Sequence, residues 1–253
     1  MINQGYYKNK NILIIGGSFG IGEELCKNLA ESGANLAIAA RSIDKIESLC
    51  SDLPGNHFSM SCDVTKVSDL KKISSQLNEK WEIIDLIIFC AGSYCPMNLS
   101  NFNLAKSKEI ININLISIFN FIDAFLPLFK KNKIPHLAVI SSVAGYFGMP
   151  NSLAYGASKA ALSNLMESLY YELRQYKTKV QLINPGFVKT RLTDQNGFKM
   201  PGIISPKQAA SLITKKMRKG CFEIAFPFIF TFTMKLLSIL PYKVRFFLFK
   251  NLK

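Results

Sequence analysis

A glycine-rich turn near the start of the chain places the strongest constraint on the fold. An apolar run over residues 11–15 leads into the segment G-G-S-F-G-I-G, and a helical pattern over residues 23–32 follows and ends at Gly33. A strand, a glycine turn and a helix in this order form a cradle for phosphate, because N–H groups at the helix start face the anion and glycine lets it approach. By itself the segment could be an ordinary tight turn. In this position it predicts a dinucleotide-binding α/β domain.

Short apolar runs alternate with helical patterns along most of the remaining chain. We predict strands at residues 11–15, 35–40, 57–62, 83–89, 180–184 and 221–225, with one more strand that ends just before Ser142. We predict helices at residues 23–32, 43–53, 67–81, 105–131, 154–176 and 206–219, the fourth of them interrupted by Pro127. This order predicts a single doubly wound Rossmann domain of the α/β class, in which helices flank a parallel sheet of about seven strands.

Three polar residues after the fifth predicted strand carry the candidate chemistry. Tyr155 and Lys159 are four residues apart, so they lie on one face of a helix. A positive charge within reach of a phenol lowers its pKa by roughly 1–3 units, and the phenol then serves as a general acid or base. Ser142 stands where the strand ends, at the edge of a parallel sheet where ligands bind. Without Ser142, the Tyr and Lys could equally be an ordinary solvated pair.

The spacing S-x12-Y-x3-K, formed by Ser142, Tyr155 and Lys159, resembles the catalytic signature of the short-chain dehydrogenases/reductases. The resemblance implies that Tyr155 donates or accepts a proton and that Lys159 lowers its pKa and holds the cofactor ribose. It implies that Ser142 polarises the substrate oxygen. Asn114, which follows Ile113 in an N-V-N-type element, would relay protons through water. An Asn in an apolar helix could otherwise be a capping or kinking residue.

Other segments resemble the cofactor site of the same family. Counterparts exist for its glycine loop, for a D-V element, for an N-A-G element and for a P-G-x-V-x-T element. Cys90 replaces the usual Asn of the third element, so some adjustment of the cofactor pocket is expected. A mobile lid over the substrate is implied at residues 191–205. The resemblance implies a cofactor site formed by Gly16, Ser18, Phe19, Gly20, Ile21, Gly22, Arg41, Asp63, Val64, Ala91, Gly92, Asn114, Tyr155, Lys159, Pro185, Gly186, Val188 and Thr190.

The end of the second predicted strand indicates which dinucleotide binds. Folds that take NAD usually carry an acidic residue here for the ribose hydroxyls, whereas an Arg accommodates a 2′-phosphate. Residues 40–42 contain Arg41 and no acid, so NADP(H) is favoured and NAD is the alternative. Arg41 could also be a purely structural residue at the sheet edge. Phe19 occupies the family's other basic position for NADP, beside the glycine loop, and this departure weakens the prediction.

Basic charge is concentrated at the C-terminal end. The net charge is +14, and residues 201–253 hold ten Lys and Arg against the single acid Glu223. Because this excess coincides with an apolar segment and no nucleic-acid-binding motif is present, nucleic acid is not the expected partner. Six scattered Cys without a C-x-x-C pair, and two His, predict neither a metal site nor a disulfide framework. The first ten residues lack the apolar core of a signal peptide, which favours a reducing, cytoplasmic location.

A C-terminal segment exceeds what the core fold needs, so we divide the chain into a catalytic domain at residues 1–226 and a tail at residues 227–253. Residues 228–240 are apolar around nearly the whole helical circumference. Lys235 and Pro241 interrupt the stretch before it reaches the ~20 apolar residues that span a bilayer. The tail either lies on the inner face of a membrane, its basic residues toward anionic head groups, or packs across a partner subunit and closes the substrate pocket. Both interpretations imply a lipophilic substrate.

The combined prediction is an NADP(H)-dependent oxidoreductase that interconverts a carbonyl and a secondary alcohol on a lipid-, steroid- or fatty-acyl-like molecule. Two alternatives remain open: a non-catalytic, membrane-associated scaffold that binds a dinucleotide, and an epimerase or dehydratase on the same fold. The presence of all four candidate catalytic residues speaks against the scaffold. The resemblance also implies a homodimer or homotetramer that associates through the helices at about residues 105–131 and 151–176.

Overall fold

Seven parallel strands form one sheet in the computed structural model, which describes residues 5–250. The strand order is β3-β2-β1-β4-β5-β6-β7, and each neighbouring pair runs parallel. The order reverses between β1 and β4, which opens a crevice at the carboxyl ends of these strands. The predicted doubly wound Rossmann fold is confirmed. The strands are β1 (Asn11–Ile15), β2 (Asn35–Ala40), β3 (Phe58–Ser61), β4 (Leu86–Phe89), β5 (His136–Ile140), β6 (Lys179–Pro185) and β7 (Glu223–Phe226).

Helices cover both faces of the sheet. In the described chain they are α1 (Gly20–Glu31), α2 (Ile43–Asp52), α3 (Val67–Lys80), α4 (Leu104–Ile111), α5 (Ser117–Lys130), α6 (Leu153–Glu172), α7 (Pro206–Met217), α8 (Phe228–Ser238) and α9 (Tyr242–Phe249). Ile14 faces the core formed with α1, α2 and α7, and its neighbour Leu13 faces the core formed with α3, α5 and α6. Because successive strand residues point to opposite faces, both cores require apolar side chains, which explains the unbroken apolar runs.

The helix predicted at residues 105–131 is divided differently from the prediction. A π-helical turn over Asn112–Ile116 separates α4 from α5, and α5 continues through Pro127. Pro127 removes only the hydrogen bond to the carbonyl of Asp123, whose side chain lies at the solvent-exposed surface and pairs with Lys71 at 2.9 Å. Water can therefore satisfy the carbonyl, and the helix does not break.

One helical segment of the described chain, Leu104–Lys130, is long and apolar enough to cross a membrane by length and composition. In this fold it is a core helix. Phe121, Phe125 and Phe129 are at most 1% exposed and pack beneath the sheet.

Two strands are shorter than predicted because their neighbours take over backbone hydrogen bonds. The N–H of Ile84 donates to Lys133, and the carboxylate of Asp85 accepts from the N–H of Asn11 at 2.9 Å, so β4 begins only at Leu86. At the edge of the sheet, the ring of His57 accepts from the N–H of a β2 residue at 3.2 Å and stands outside β3.

The tail folds back onto the domain of its own chain. Helix α8 follows β7 directly, and it buries Thr231 and Met234 against the domain. In α9 the side chain of Arg245 is 9% exposed, and its Nη1 donates to the Ser238 carbonyl at 3.0 Å. The tail therefore presents one face to the domain and the other to its surroundings.

Candidate active site

A cavity of about 1150 Å³ opens at the carboxyl ends of the strands, where the strand order reverses. Seventeen of the eighteen predicted cofactor residues line it, and the exception is Asn114. Ser142 also lines the cavity. The volume is large enough for a dinucleotide together with a second small molecule.

The glycine loop forms one end of this cavity. Gly16 and Gly20 have φ angles of +91° and +59°, in the left-handed region that glycine adopts without strain. A Cβ atom at Gly22 would lie 2.1 Å from the carbonyl oxygen of Gly16, so no larger residue fits. Because α1 begins at Gly20, its free N–H groups lie beside the cavity and can bind a pyrophosphate.

Ser142, Tyr155 and Lys159 line the middle of the cavity. Tyr155 and Lys159 lie one turn apart in α6, and Ser142 follows β5. The Oγ of Ser142 accepts from the N–H of Ala144 at 3.1 Å, which fixes the hydroxyl at the strand end. The Nζ of Lys159 donates to the carbonyl of Ile140 at 3.0 Å and lies 5.8 Å from the centroid of the Tyr155 ring. The structure thus brings together the three residues that the sequence pattern selects.

The electrostatics of this triad differ from the prediction in one respect. Burial raises the pKa of Tyr155 above its ordinary value, and the Ser142 hydroxyl acts in the opposite direction. Burial lowers the pKa of Lys159 to about 8. The prediction that Lys159 lowers the pKa of Tyr155 is therefore not met in this arrangement, because the ammonium donates to Ile140 and burial dominates the phenol. A neutral phenol, able to donate its proton, is the favoured form.

Asn114 lies behind the cavity wall, in the π-helical turn, and is 1% exposed. Its Oδ1 accepts from the N–H of Ser93 at 2.7 Å, and its Nδ2 donates to the Ser93 carbonyl and to the Oγ of Ser158, each at 2.9 Å. Ser158 in turn donates to the Tyr155 carbonyl at 2.7 Å. The predicted contact of Asn114 with the cofactor stays a prediction. Its amide ties the loop after β4 to the helix that carries Tyr155.

Positive charge gathers where the second predicted strand meets the glycine loop. Arg41 and Arg191 both line the cavity. The Cζ of Arg191 and the Nζ of Lys45 lie 3.4 Å and 3.9 Å from the ring centroid of Phe19, on a ring that attracts cations. Phe19, a departure that weakened the NADP prediction, thus holds two basic side chains, and one of them, Arg191, lines the same cavity as Arg41.

Asp63 forms a local turn with Thr65 at the cavity wall. Its Oδ1 accepts from the N–H and the Oγ1 of Thr65, at 3.0 Å and 2.8 Å. Burial acts to raise the pKa of this carboxyl, but the hydrogen bonds from Thr65 and the charge of Arg41 hold it below its ordinary value. The second oxygen of the carboxylate remains available at the cavity wall for a hydrogen-bond donor.

The segment after β6 closes the cavity from the other side. The Oγ1 of Thr193 accepts from the N–H of Thr190 at 2.9 Å and donates to the Val188 carbonyl at 2.8 Å. Val188 also forms a parallel bridge with Ile204. Residues 191–205 therefore form a loop whose two ends are fastened together, with a short 3-10 turn at Thr193–Gln195. The mobility predicted for this lid stays a prediction.

Sequence reasoning missed Tyr94. Its ring meets the Tyr155 ring edge to face, with centroids 4.8 Å apart, and its hydroxyl donates to the Oδ1 of Asn196 at 2.5 Å. Burial raises the pKa of Tyr94 to about 12. The signal in the sequence is an aromatic residue two positions after the N-A-G-type element, at the functional edge of the sheet.

The tail also contributes to the cavity wall, through Phe230, Met234 and Phe249. The rings of Phe230 and Phe187 lie 5.3 Å apart, and those of Phe249 and Phe147 lie 5.4 Å apart. No sequence signal indicates these contacts, because they depend on how the chain reverses after β7.

Metal-ligating side chains do not cluster within residues 5–250: no group of three or more His, Cys, Asp or Glu side chains comes together. Cys90 lines the cavity near Lys159, and burial raises the pKa of its thiol to about 12. The thiol is therefore held neutral.

Comparisons with known proteins agree with this geometry. A family model described as short chain dehydrogenase matches residues 10–200. An uncharacterized oxidoreductase of Myxococcus xanthus is 31% identical over 235 residues, which are 92% of this chain and 93% of that protein. An uncharacterized oxidoreductase of Listeria innocua is 35% identical over 222 residues, which are 81% of this chain and 89% of that protein.

Solved structures share the fold. A short chain dehydrogenase from Burkholderia cenocepacia, in complex with NADP, has a TM-score of 0.81 at 20% identity and covers 92% of this chain and 94% of its own. An alcohol dehydrogenase from the archaeon Thermococcus sibiricus, complexed with 5-hydroxy-NADP, has a TM-score of 0.76 at 23% identity and covers 86% and 96%. At such identities these structures establish a common fold alone.

Proposed function

Because the chain belongs to the short-chain dehydrogenase family, we propose that it is an NADP(H)-dependent oxidoreductase that interconverts a carbonyl and a secondary alcohol on a lipophilic molecule. The observation that carries the proposal is the convergence of Ser142, Tyr155 and Lys159 on one cavity, which also contains the glycine loop. Side chains for proton transfer and a cradle for pyrophosphate thus share one space.

The residues of the cavity fit a bound NADP(H). Gly16, Gly20 and Gly22 line the cavity without side chains, so a pyrophosphate could approach the backbone, and the start of α1 supplies N–H donors. Arg41 would hold the 2′-phosphate, with Arg191 adding positive charge nearby. The complexes of the Burkholderia and Thermococcus proteins with NADP and 5-hydroxy-NADP support this choice of cofactor. When bound, NADP(H) would supply or accept the hydride.

The proton is transferred by side chains of the protein. Since burial raises the pKa of Tyr155, its phenol is protonated at neutral pH and donates to the oxygen of a carbonyl substrate during reduction. Ser142, fixed by the N–H of Ala144, would donate a second hydrogen bond to the same oxygen. Below a pH of about 8, Lys159 carries a charge one helical turn from Tyr155, where it would hold the cofactor ribose. Asn114 would assist by positioning α6 and the loop after β4.

The walls of the cavity support a lipophilic substrate. Beyond Tyr155, they contain the side chains of Met149, Phe187, Phe198 and Phe230. The Phe187 ring contacts the rings of Phe198 and Phe230, with centroids 5.9 Å and 5.3 Å apart. The second of these contacts joins the segment after β6 to the tail. An apolar ligand gains about 25 cal/mol for each Å² that such walls remove from water.

The test of this proposal is nicotinamide absorbance during incubation of the full-length protein with NADPH, and separately with NADH, over long-chain and polycyclic ketones. Consumption of NADPH with one lipophilic class of ketone is the expected result. Binding of NADPH without consumption, over the whole panel and in the reverse direction with the alcohols, would contradict the redox assignment and favour a scaffold or a non-redox reaction.

A further inference from the structure

The two tail helices expose a large apolar surface. Six side chains, each 64–80% exposed, point away from the domain. We call this surface the tail face: it consists of Phe228, Ile229, Ile239, Tyr242, Phe246 and Phe247. Monomeric proteins rarely expose so many large apolar side chains together, and such a patch marks a site of interaction with another apolar surface.

The tail face is held rigidly by polar contacts on its inner side. Glu223 in β7 forms an ion pair with Lys235 of α8 and accepts hydrogen bonds from Tyr146 and Asn184. Although burial alone would raise the pKa of Glu223, these contacts hold it below its ordinary value, so the carboxylate stays charged. The Cζ of Arg245 lies 5.1 Å from the ring centroid of Phe147, and this contact anchors α9. The exposed side chains are therefore displayed by fixed helices.

The charge around the tail face is basic. Residues 227–253 contain five basic residues and no acid. Glu223 is already paired with Lys235, and among the described residues no carboxylate lies within salt-bridge distance of Lys243 or Lys250. The tail face thus combines aromatic and aliphatic groups with Lys side chains that no carboxylate of residues 5–250 neutralises.

A second copy of the chain matches this surface poorly. A symmetric dimer through the tail face would place Lys243 and Lys250 of the two copies on one shared patch, and residues 227–253 contain no Asp or Glu to compensate them. An anionic lipid surface complements both properties, since its head groups attract Lys and its interfacial region accepts amphipathic aromatic rings.

We propose that the tail face docks on an anionic lipid bilayer and lies in the plane of its interface. The same helices turn Phe230 and Met234 inward to the cavity wall. Docking would therefore place the cavity beside the bilayer, so that a lipophilic substrate could enter without crossing water. The docking itself does not rest on the proposed reaction, because it needs no bound cofactor and no turnover.

The test is flotation of the full-length protein with vesicles of phosphatidylcholine containing phosphatidylglycerol, compared with vesicles of phosphatidylcholine alone. The expected result is binding to the anionic vesicles and little binding to the neutral ones. Each basic residue near such a surface contributes about a fivefold factor in partition. Lys243→Gln with Lys250→Gln should therefore weaken binding about 25-fold, whereas Lys130→Gln with Lys131→Gln, on another face, should leave it unchanged.

The apolar contribution is tested with Phe246→Ser and Phe247→Ser together. Both side chains are exposed, so the variant should fold, which circular dichroism and NADPH binding check. Binding to anionic vesicles should be lost, while Leu99→Ser with Phe102→Ser, an exposed control pair outside the tail, should retain it. Sedimentation velocity of the same variants tests the alternative that the tail face is an interface between two copies of the chain. Failure to bind any vesicle, or dissociation of an oligomer by the tail variant alone, would overturn the proposal.

Discussion

At the scale of single residues, the proposed proton donor Tyr155 is half-buried and lies one helical turn from the buried ammonium of Lys159. Tyr155 and Lys159 sit in the same low-dielectric environment, which disfavours both charged forms: the pKa of Tyr155 is raised and that of Lys159 is lowered to about 8. The raised pKa keeps the phenol of Tyr155 protonated at neutral pH. The ammonium of Lys159 is held by the Ile140 carbonyl at 3.0 Å, so its position is fixed before any ligand binds.

Arg41 is expected to determine the choice of cofactor. Arg41→Gln should weaken NADPH binding about tenfold or more, because a charge-assisted hydrogen bond to phosphate is lost, and should leave NADH binding nearly unchanged. Fluorescence titration of both nucleotides measures the two dissociation constants. Lys80→Gln is the control, since it also removes one positive charge, but from a side chain that lies over the Phe58 ring and outside the cavity. Equal loss of NADPH and NADH affinity in Arg41→Gln would mean that Arg41 has only a structural role.

At the scale of elements, the site is shaped by two features that the strand and helix patterns of the sequence do not predict. The π-helical turn between α4 and α5 places Asn114 between the loop after β4 and α6. A π turn depends on tertiary contacts, so the sequence predicted one continuous helix. The tail forms a wall of the cavity through Phe230 and Phe249, and this depends on the direction that the chain takes after β7.

Substitution of Phe230 tests the contribution of the tail to substrate binding. Phe230→Ala should lower kcat/KM for a long-chain or polycyclic ketone about tenfold, because an apolar wall is removed, and should leave NADPH affinity within about twofold. Phe232→Ala is the matched control, since Phe232 lies on the same helix but is half-exposed and does not line the cavity. Identical kinetics for the two variants would exclude the tail from the substrate site.

At the scale of the whole molecule, the sequence was sufficient for the framework. The glycine turn and the alternation of apolar runs with helical patterns fix the order of elements, and that order allows few topologies. Ser142, Tyr155 and Lys159 could be selected because their spacing resembles the family's catalytic signature, and all three line one cavity. Tyr94 and Phe230 could not, since each reaches the site through packing between segments that are distant along the chain.

Association of the molecule is expected through its long helices and not through the tail. Phe119 of α5 and Tyr171 of α6 are exposed apolar residues on the helices predicted to associate. Phe119→Glu with Tyr171→Glu should convert a dimer or tetramer to monomers, because two buried charges per copy oppose contact. Sedimentation velocity measures the change, with Phe246→Ser as the control that should keep the oligomer. Unchanged sedimentation of the double variant would place the interface elsewhere.

The most direct test of the proposed chemistry is a single-turnover measurement on Tyr155→Phe, made with NADPH and a reactive ketone and accompanied by titration of NADPH. Removal of one hydroxyl from the proposed proton donor should slow hydride transfer by 10²-fold or more, since general acid catalysis typically contributes about 10²–10⁴-fold. The dissociation constant of NADPH should stay within about threefold of that of the unchanged protein. Hydride transfer at a comparable rate in Tyr155→Phe would show that another group protonates the substrate and would contradict the role assigned to Tyr155.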